Sequence, residues 1–282
     1  MKRWILRLWW RIAFVSISKL AALRHLLLGR DVAGLLIKTQ QGPFLVETGD
    51  RVVAVRLRRK GLYEAREADL LRGLVGADDD VLFVGAHIGA LAIPLSRSVR
   101  HVTAIEANPA TYRLLAANIV LNDRGNITPM QLAANDTKGS LQFVMSRVNS
   151  GGSKRMPSVQ AFEYFYDKPD IVEVEADRLD DVLPDRTYSL IVMDIEGSEY
   201  FALRGMQEIL SRADHLAVEY LPHHLRQVAG IDVAEFLTPI APHFNRLRIP
   251  SKNIETDRQG FLPALQAMFQ ADEEDDGIIF SK

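Results

Sequence analysis

The sequence predicts an α/β protein with a mostly parallel sheet and helices on both faces, preceded by an N-terminal helix and a small β meander. Three observations lead there. From residue 61 onward, short apolar runs alternate with longer stretches of helical periodicity, the pattern of strands joined by crossover helices. Those runs end on glycine or polar residues, as strand tips along one edge of a parallel sheet do. The 282 residues are 48% hydrophobic and 25% charged, which is enough to bury a large core and is not the composition of a disordered chain.

The same totals exclude several functions. A net charge of -2 offers no broad phosphate-binding surface, so a nucleic-acid partner is not expected. With no cysteine, disulfides, thiolate zinc sites and a cysteine nucleophile are ruled out, which fits a cytoplasmic protein.

Taken in order, residues 1–30, "MKRWILRLWWRIAFVSISKLAALRHLLLGR", form an amphipathic helix in which Arg3, Arg7 and Arg11 make one basic stripe. Basic residues interrupt it too often for a spanning helix. Two readings stand level. One is peripheral contact of residues 1–28 with the inner face of a membrane, and the other is docking on protein. Residues 31–60, "GLLIKTQQGPFLVETGDRVVAVRL" within them, read as a β meander broken at "QQGP" and "TGD". Residues 61–250 form the main domain. It has a helix over "EAREADLLRGLV", a strand over "DVLFVG", a helix over about 89–98, a strand over "HVTAIEA" and a helix over "PATYRLLAANIVLND". A strand over "ITPMQLAA", a strand pair around "LQFVM", a strand over "YSLIVMDI", a helix over "SEYFALRGMQEILSRA" and a strand over "HLAVEY" complete it. The glycine-rich and serine-rich "VNSGGSKRMPS" suits a mobile loop over a site. Residues 251–282 read as a C-terminal segment with a solvated acidic tail, "ADEEDDG".

The chemistry gathers at the strand ends. In "VLFVGAHIGALAIPLS", Gly85 and Gly89 remove side chains where the chain turns sharply and a ligand can touch backbone, with His87 between them. The spacing lacks the third glycine of a dinucleotide turn, so a single carboxylate fits better than a pyrophosphate. Glu106 closes the next strand 17 positions after Gly89, where an acid can accept two ribose hydroxyls. Asn135 and Asp136 of "LAAND" end the third strand, placed for an adenine edge or for a turn. "IVMDIEGSEYFALRGMQEIL" feeds four apolar residues into Asp194, Glu196 and Glu199, with Gly197 for a tight exit and Ser198 as a helix cap. Buried acids are costly without partners, so function explains Asp194 better than folding does. His223 and His224 follow the fifth strand, and Tyr63 and Glu64 precede the first helix of the domain, lining a pocket or capping. No spacing of metal ligands is present in the sequence.

Together these motifs resemble the FkbM family of S-adenosylmethionine-dependent methyltransferases over roughly residues 61–222: "GLYEAREADLL", "VGAHIGALAIPLS", "IEANP", "AAND", "NSGGS", "RLDDVL", "MDIEGSEYFALRGMQEIL" and "AVEY". The resemblance implies a class I methyltransferase, Rossmann-like sheet and S-adenosylmethionine as cofactor. It also implies O-methylation of a hydroxyl on a sugar, glycolipid, polyketide or related metabolite, free or glycan- or lipid-linked. Carried over by position, Gly85, His87 and Gly89 hold the methionine end, Glu106 the ribose, and Asn135 or Asp136 the adenine, with Glu64 and Asn108 also on the cofactor side. Asp194 sits beside the methyl donor and is the first choice of general base, with Glu196, Glu219 and His223 as alternates. Phe83 replaces the family's usual aspartate, His87 its asparagine and Val192 its lysine, and Pro94 falls within an expected helix. Those departures keep open a catalytically silent binding module, while a nucleotide-dependent oxidoreductase is disfavoured by the missing glycine.

Overall fold

A computed structural model describes residue 32 and residues 34–282, so the amphipathic helix expected over residues 1–30 lies outside the described residues. The first strands, β1 (Gly34–Thr39) and β2 (Gly42–Glu47), form an antiparallel hairpin. The rest of the expected meander is instead a helix, α1 (Val53–Lys60). Alternating β-branched residues in "RVVAVRL" suit a strand, but both ends are capped for a helix. The Asp50 carboxylate accepts the backbone N–H groups of Val52 and Ala54, and Gly61 ends the helix in a left-handed conformation with its N–H on the Leu57 carbonyl. Val53, Ala54 and Leu57 then share one buried face, and capping plus burial outweigh β propensity.

Next come α2 (Ala65–Arg72), β3 (Asp80–Val84), a single helical turn at Ala92–Leu95, β4 (His101–Glu106), α3 (Pro109–Leu121) and β5 (Ile127–Gln131). The helix expected over 89–98 shrinks to that turn, with Pro94 in its first turn, where a missing N–H leaves no bond unmade. The "ITPMQLAA" strand splits at Leu132, whose N–H donates to the Glu106 carbonyl. Beyond it β6 (Ala133–Ala134) crosses into a second sheet with β7 (Gly139–Met145), β8 (Lys154–Arg155) and β9 (Asp170–Asp177), in the order β6-β9-β7-β8. β9 was not among the expected strands.

The chain then forms β10 (Leu190–Met193), α4 (Glu199–Arg204), α5 (Gln207–Arg212), β11 (His215–Tyr220), β12 (Arg246–Ile249), β13 (Ile254–Asp257), α6 (Phe261–Ala271) and β14 (Asp275–Ser281). The main sheet runs β13-β12-β14-β11-β10-β3-β4-β5. Its β11-β10-β3-β4-β5 half is parallel, and β14, β12 and β13 each pair antiparallel with the neighbour before them. Residues 251–282 are therefore no appendage. The apolar run in "GIIF" inserts β14 between β11 and β12, and Asp275 is buried.

Both faces of the sheet are covered, as near-continuous apolar strands require. On β3, Leu82 and Val84 enter one apolar cluster while Val81 and Phe83 enter the other. No helix among the described residues is long and apolar enough to cross a membrane.

Candidate active site

Parallel pairing sets the carboxyl ends of β4, β3, β10 and β11 along one edge, and the turns leaving β3, β4 and β10 wall a cavity of about 1020 Å³, its open mouth included. Gly85, His87, Glu106 and Asp194 all line it, as the sequence led us to expect. The residues bracketing the loop over it, Ser150, Gly151 and Ser153, come from "NSGGS".

The glycine turn works differently from the expectation of bare, free backbone. The N–H groups of Gly85 and Ala86 both donate to the Ile105 carbonyl, and that of Gly89 to the Ala86 carbonyl. A Cβ on Gly85, at φ +90°, would stand 1.8 Å from the Asp194 carbonyl oxygen, and one on Gly89 would stand 2.8 Å from Ile93 Cδ1. Both glycines thus allow close packing of the protein on itself, and Gly89 does not line the cavity.

Glu106 is 8% exposed, with Oε2 accepting the His87 N–H and Oε1 the Asn108 N–H, both at 2.8 Å. Burial pushes its pKa up to about 7 despite those backbone bonds. With the Ala107 N–H also on the carboxylate, it still keeps lone-pair capacity for a further donor. His87, itself at φ 50°, has its ring Nε2 2.8 Å from Ser150 Oγ, and the Ser150 hydroxyl donates to Asp50. Because that hydroxyl is committed to Asp50, Nε2 carries the imidazole proton. Burial lowers the His87 pKa to about 4, so the ring is neutral near pH 7. This chain ties the loop to the Asp50 cap of α1.

Four other residues expected on the cofactor side lie outside this lining. Asn108 caps α3, its Oδ1 accepting from Ala110 and Thr111 while its amide donates to Ser153 Oγ at 3.3 Å. Asn135 donates to the Thr137 carbonyl at 3.0 Å, and Asp136 pairs with Arg204 at 3.1 Å. None of these three lines the cavity, and Ala133 and Ala134 stand there instead. Glu64 lies in an adjoining chamber, ion-paired with Arg56. Ser198 holds the N-cap position of α4 without a side-chain cap bond, and the buried Glu199 carboxylate accepts the Ile195 N–H at 2.9 Å.

The adjoining chamber, about 1010 Å³ with its opening, shares Tyr63, Glu67, Asp194 and Glu196 with the first and adds Glu219, His223, His224, Glu274 and Asp276. Tyr63 is fixed by Gln41 of the first hairpin, which bonds both its N–H and its carbonyl. Glu196 pairs with Lys154 at 3.0 Å and Glu274 with His223 at 3.2 Å. Among the described residues, Glu67, Asp194, Glu219 and Asp276 have no basic group in ion-pair range. Burial and the neighbouring Asp194 push Glu67 up to about 8. Asp194 and Glu219 hydrogen-bond each other and are both held well above the carboxylate range by burial and by mutual repulsion with Glu196 and Glu199. Like charges this close cannot both ionise cheaply, so the two carboxyls titrate as a pair, one holding its proton well above the usual carboxylate range. Asp194 itself is open to the cavity although protein surrounds it.

Ligand atoms of Glu196, Glu219 and His224 lie within 4.8 Å of one another, a spacing a cation can use. The Lys154 ammonium already sits at that cluster, 3.0 Å from Glu196 and 3.2 Å from His224 Nε2. Burial and Lys154 keep His224 neutral. Glu67, Lys154 and Arg155 were missed in the sequence. The signal for the two cations was their place directly after "NSGGS", where successive strand residues point to opposite sides.

Among known proteins, the family described as "Methyltransferase FkbM domain" matches residues 84–244, more than half of the chain. No curated protein sequence matched. Among solved structures, a methyltransferase FkbM from Methylobacillus flagellatus is 18% identical over 74% of this chain and 45% of that one, with a TM-score of 0.44. TYW2 of M. jannaschii, solved in complex with AdoMet, is 15% identical over 67% of this chain and 62% of that one, TM-score 0.37. Trm5b from Pyrococcus abyssi is 11% identical over 90% and 57%, TM-score 0.46. The chain thus spans roughly half the length of these structures. With the family match covering the glycine turn, Glu106, the Asp194 segment and β11, the chain belongs to the FkbM methyltransferase family, whose cofactor is S-adenosylmethionine.

Proposed function

We propose that this chain transfers a methyl group from S-adenosylmethionine to a hydroxyl oxygen of a sugar, glycolipid, polyketide or related metabolite. The lining fits that cofactor by its chemistry. Glu106 has lone pairs left for ribose hydroxyls, Leu132, Ala133, Ala134, Leu141 and Phe143 offer apolar walls to a flat base, and the acid-rich end around Asp194 and Glu67 suits a sulfonium and an ammonium. Glu67 also lines the cavity that Phe83, in place of the family's usual aspartate, leaves without an acid on β3. When bound, the cofactor supplies a methyl group on a positively charged sulfur.

One observation carries the oxygen-directed reading: the hydrogen-bonded Asp194–Glu219 pair, with Asp194 on the wall shared by the two chambers. An alcohol must lose its proton as it attacks, and the ionised member of the pair takes it. Glu219 holds the retained proton against Asp194, while Glu196 is ion-paired with Lys154. The "NSGGS" loop and Tyr63 exclude water and help position the acceptor.

The test uses purified protein, S-adenosylmethionine with a deuterated methyl group, and lipid and glycan extracts, with labelled products identified by mass spectrometry. An O-methylated product that disappears with Asp194→Asn supports the reading. Label on nitrogen or carbon overturns the oxygen assignment, and calorimetric binding of NAD in place of S-adenosylmethionine overturns the whole.

A further inference from the structure

The cofactor cavity contains one cation that no described residue answers with a hydrogen bond or ion pair. β8 is only two residues long, and its alternation sends Lys154 to Glu196 and His224 and Arg155 to the cofactor cavity. The Arg155 guanidinium lies 3.6 Å from the centre of the Phe201 ring. It forms no hydrogen bond or ion pair with any described residue, and its Nη1 is shut off from solvent without a partner. Asp136, the acid whose charge acts on it, is engaged by Arg204. A half-buried guanidinium whose Nη1 donors are sealed from water and unpaired is expensive, because the guanidinium has only donors and no acceptor.

The place of this cation in the cavity says what should answer it. Glu106 marks the ribose position. On the side of Glu106 toward β5 and β6 the walls are Leu132, Ala133, Ala134 and Phe143, and Arg155 stands with them. The carboxylates Glu67, Asp194 and Glu196 gather toward the second chamber. A purine has apolar faces and an edge of ring nitrogens that only accept, which complements apolar walls and a donor-only side chain.

We propose that Arg155, held flat on Phe201, recognises the adenine ring of the cofactor by donating to a ring nitrogen, the task the sequence assigned to Asn135 and Asp136. The inference rests on the cavity being the cofactor's.

Calorimetry tests it with S-adenosylhomocysteine, its 1-deaza, 3-deaza and 7-deaza analogues, and 5′-methylthioadenosine, which lacks the amino-acid end. Arg155→Met should weaken S-adenosylhomocysteine and 5′-methylthioadenosine alike, by about 10- to 100-fold. At least one deaza analogue should bind the natural protein about 10-fold more weakly than the parent, with that difference gone in Arg155→Met. Affinities within two-fold overturn the proposal, as does a loss confined to S-adenosylhomocysteine, which would put the guanidinium on the carboxylate. Should the variant fail to fold, the deaza series on the natural protein decides, and equal affinities overturn the assignment. No binding of any of these nucleosides removes the cofactor reading itself, a result distinct from failure of the Arg155 contact alone.

Discussion

Replacing Gly85 by alanine separates two reasons for a glycine at a strand tip. A glycine that makes room for a ligand tolerates alanine in the free protein and loses only affinity. Gly85 instead faces Asp194, and a Cβ there falls 1.8 Å from the carbonyl oxygen, roughly 1.6 Å short of the 3.4 Å where ordinary contact begins. The obstacle is backbone on both sides, so no rotamer change relieves it, and Ile195 Cγ2 at 2.8 Å closes another direction. The left-handed φ adds about 1–2 kcal/mol for any residue with a Cβ. Overpacking adds about 1–3 kcal/mol more. A combined loss of about 2–5 kcal/mol lowers Tm by roughly 4–20 °C for a domain of this size. Thermal melting and urea denaturation of ligand-free protein measure it, with Gly125→Ala as the control because no atom lies within 4 Å of that Cβ. A Gly85→Ala protein that melts within about 2 °C of the parent and loses only cofactor affinity would refute the packing explanation.

Four further outcomes are expected. Since burial raises Glu106 to about 7, affinity for S-adenosylhomocysteine should fall by up to about ten-fold per unit as pH drops below that value, and Glu106→Gln should flatten the profile in calorimetry. Glu199, raised from 4.5 to about 7, keeps in the folded state a proton that the unfolded chain releases. Ligand-free protein therefore loses stability as pH rises through that interval, and Glu199→Gln should reduce the slope of Tm against pH. Asp194→Asn should lower kcat by about 10²- to 10⁴-fold with S-adenosylhomocysteine affinity retained, and the parent's kcat should rise with pH through a midpoint well above that of an ordinary aspartate. Asp50→Asn, which weakens both the α1 cap and the Ser150–His87 chain, should cost about 1–2 kcal/mol in denaturation and speed proteolysis within residues 146–153.

The parallel half of the sheet was legible because its strands are apolar on both faces and end on polar residues. Gly85, Glu106, Asp194 and Glu219 could be ordered along one edge from that alone. Asn135 and Asp136 fall outside the cavity lining because a strand that crosses to a second sheet changes its course at Leu132, and no local pattern marks the crossing. The "RVVAVRL" segment misled because its helix depends on Asp50 and Gly61, which lie outside the run itself. Glu67 reads as one of many acids on an amphipathic helix, and only the fold sets it beside Asp194 without a cation. Arg155 looks like loop charge until its strand partner on β7 and the Phe201 ring are both in place.

The insertion of β14 between β11 and β12 has a consequence for how the molecule is made. Residues 275–281 are translated after every other strand of the main sheet, yet among the described residues they form the one strand pairing that joins β12 and β13 to the rest of it. On the ribosome, β12 and β13 must wait as an unattached hairpin, and the open flank of β11 stays available to chaperones or to a neighbouring nascent chain until that last segment emerges. A stalled or prematurely terminated product that lacks these residues would carry Asp194 and Glu106 in full and still present a sticky, unclosed edge.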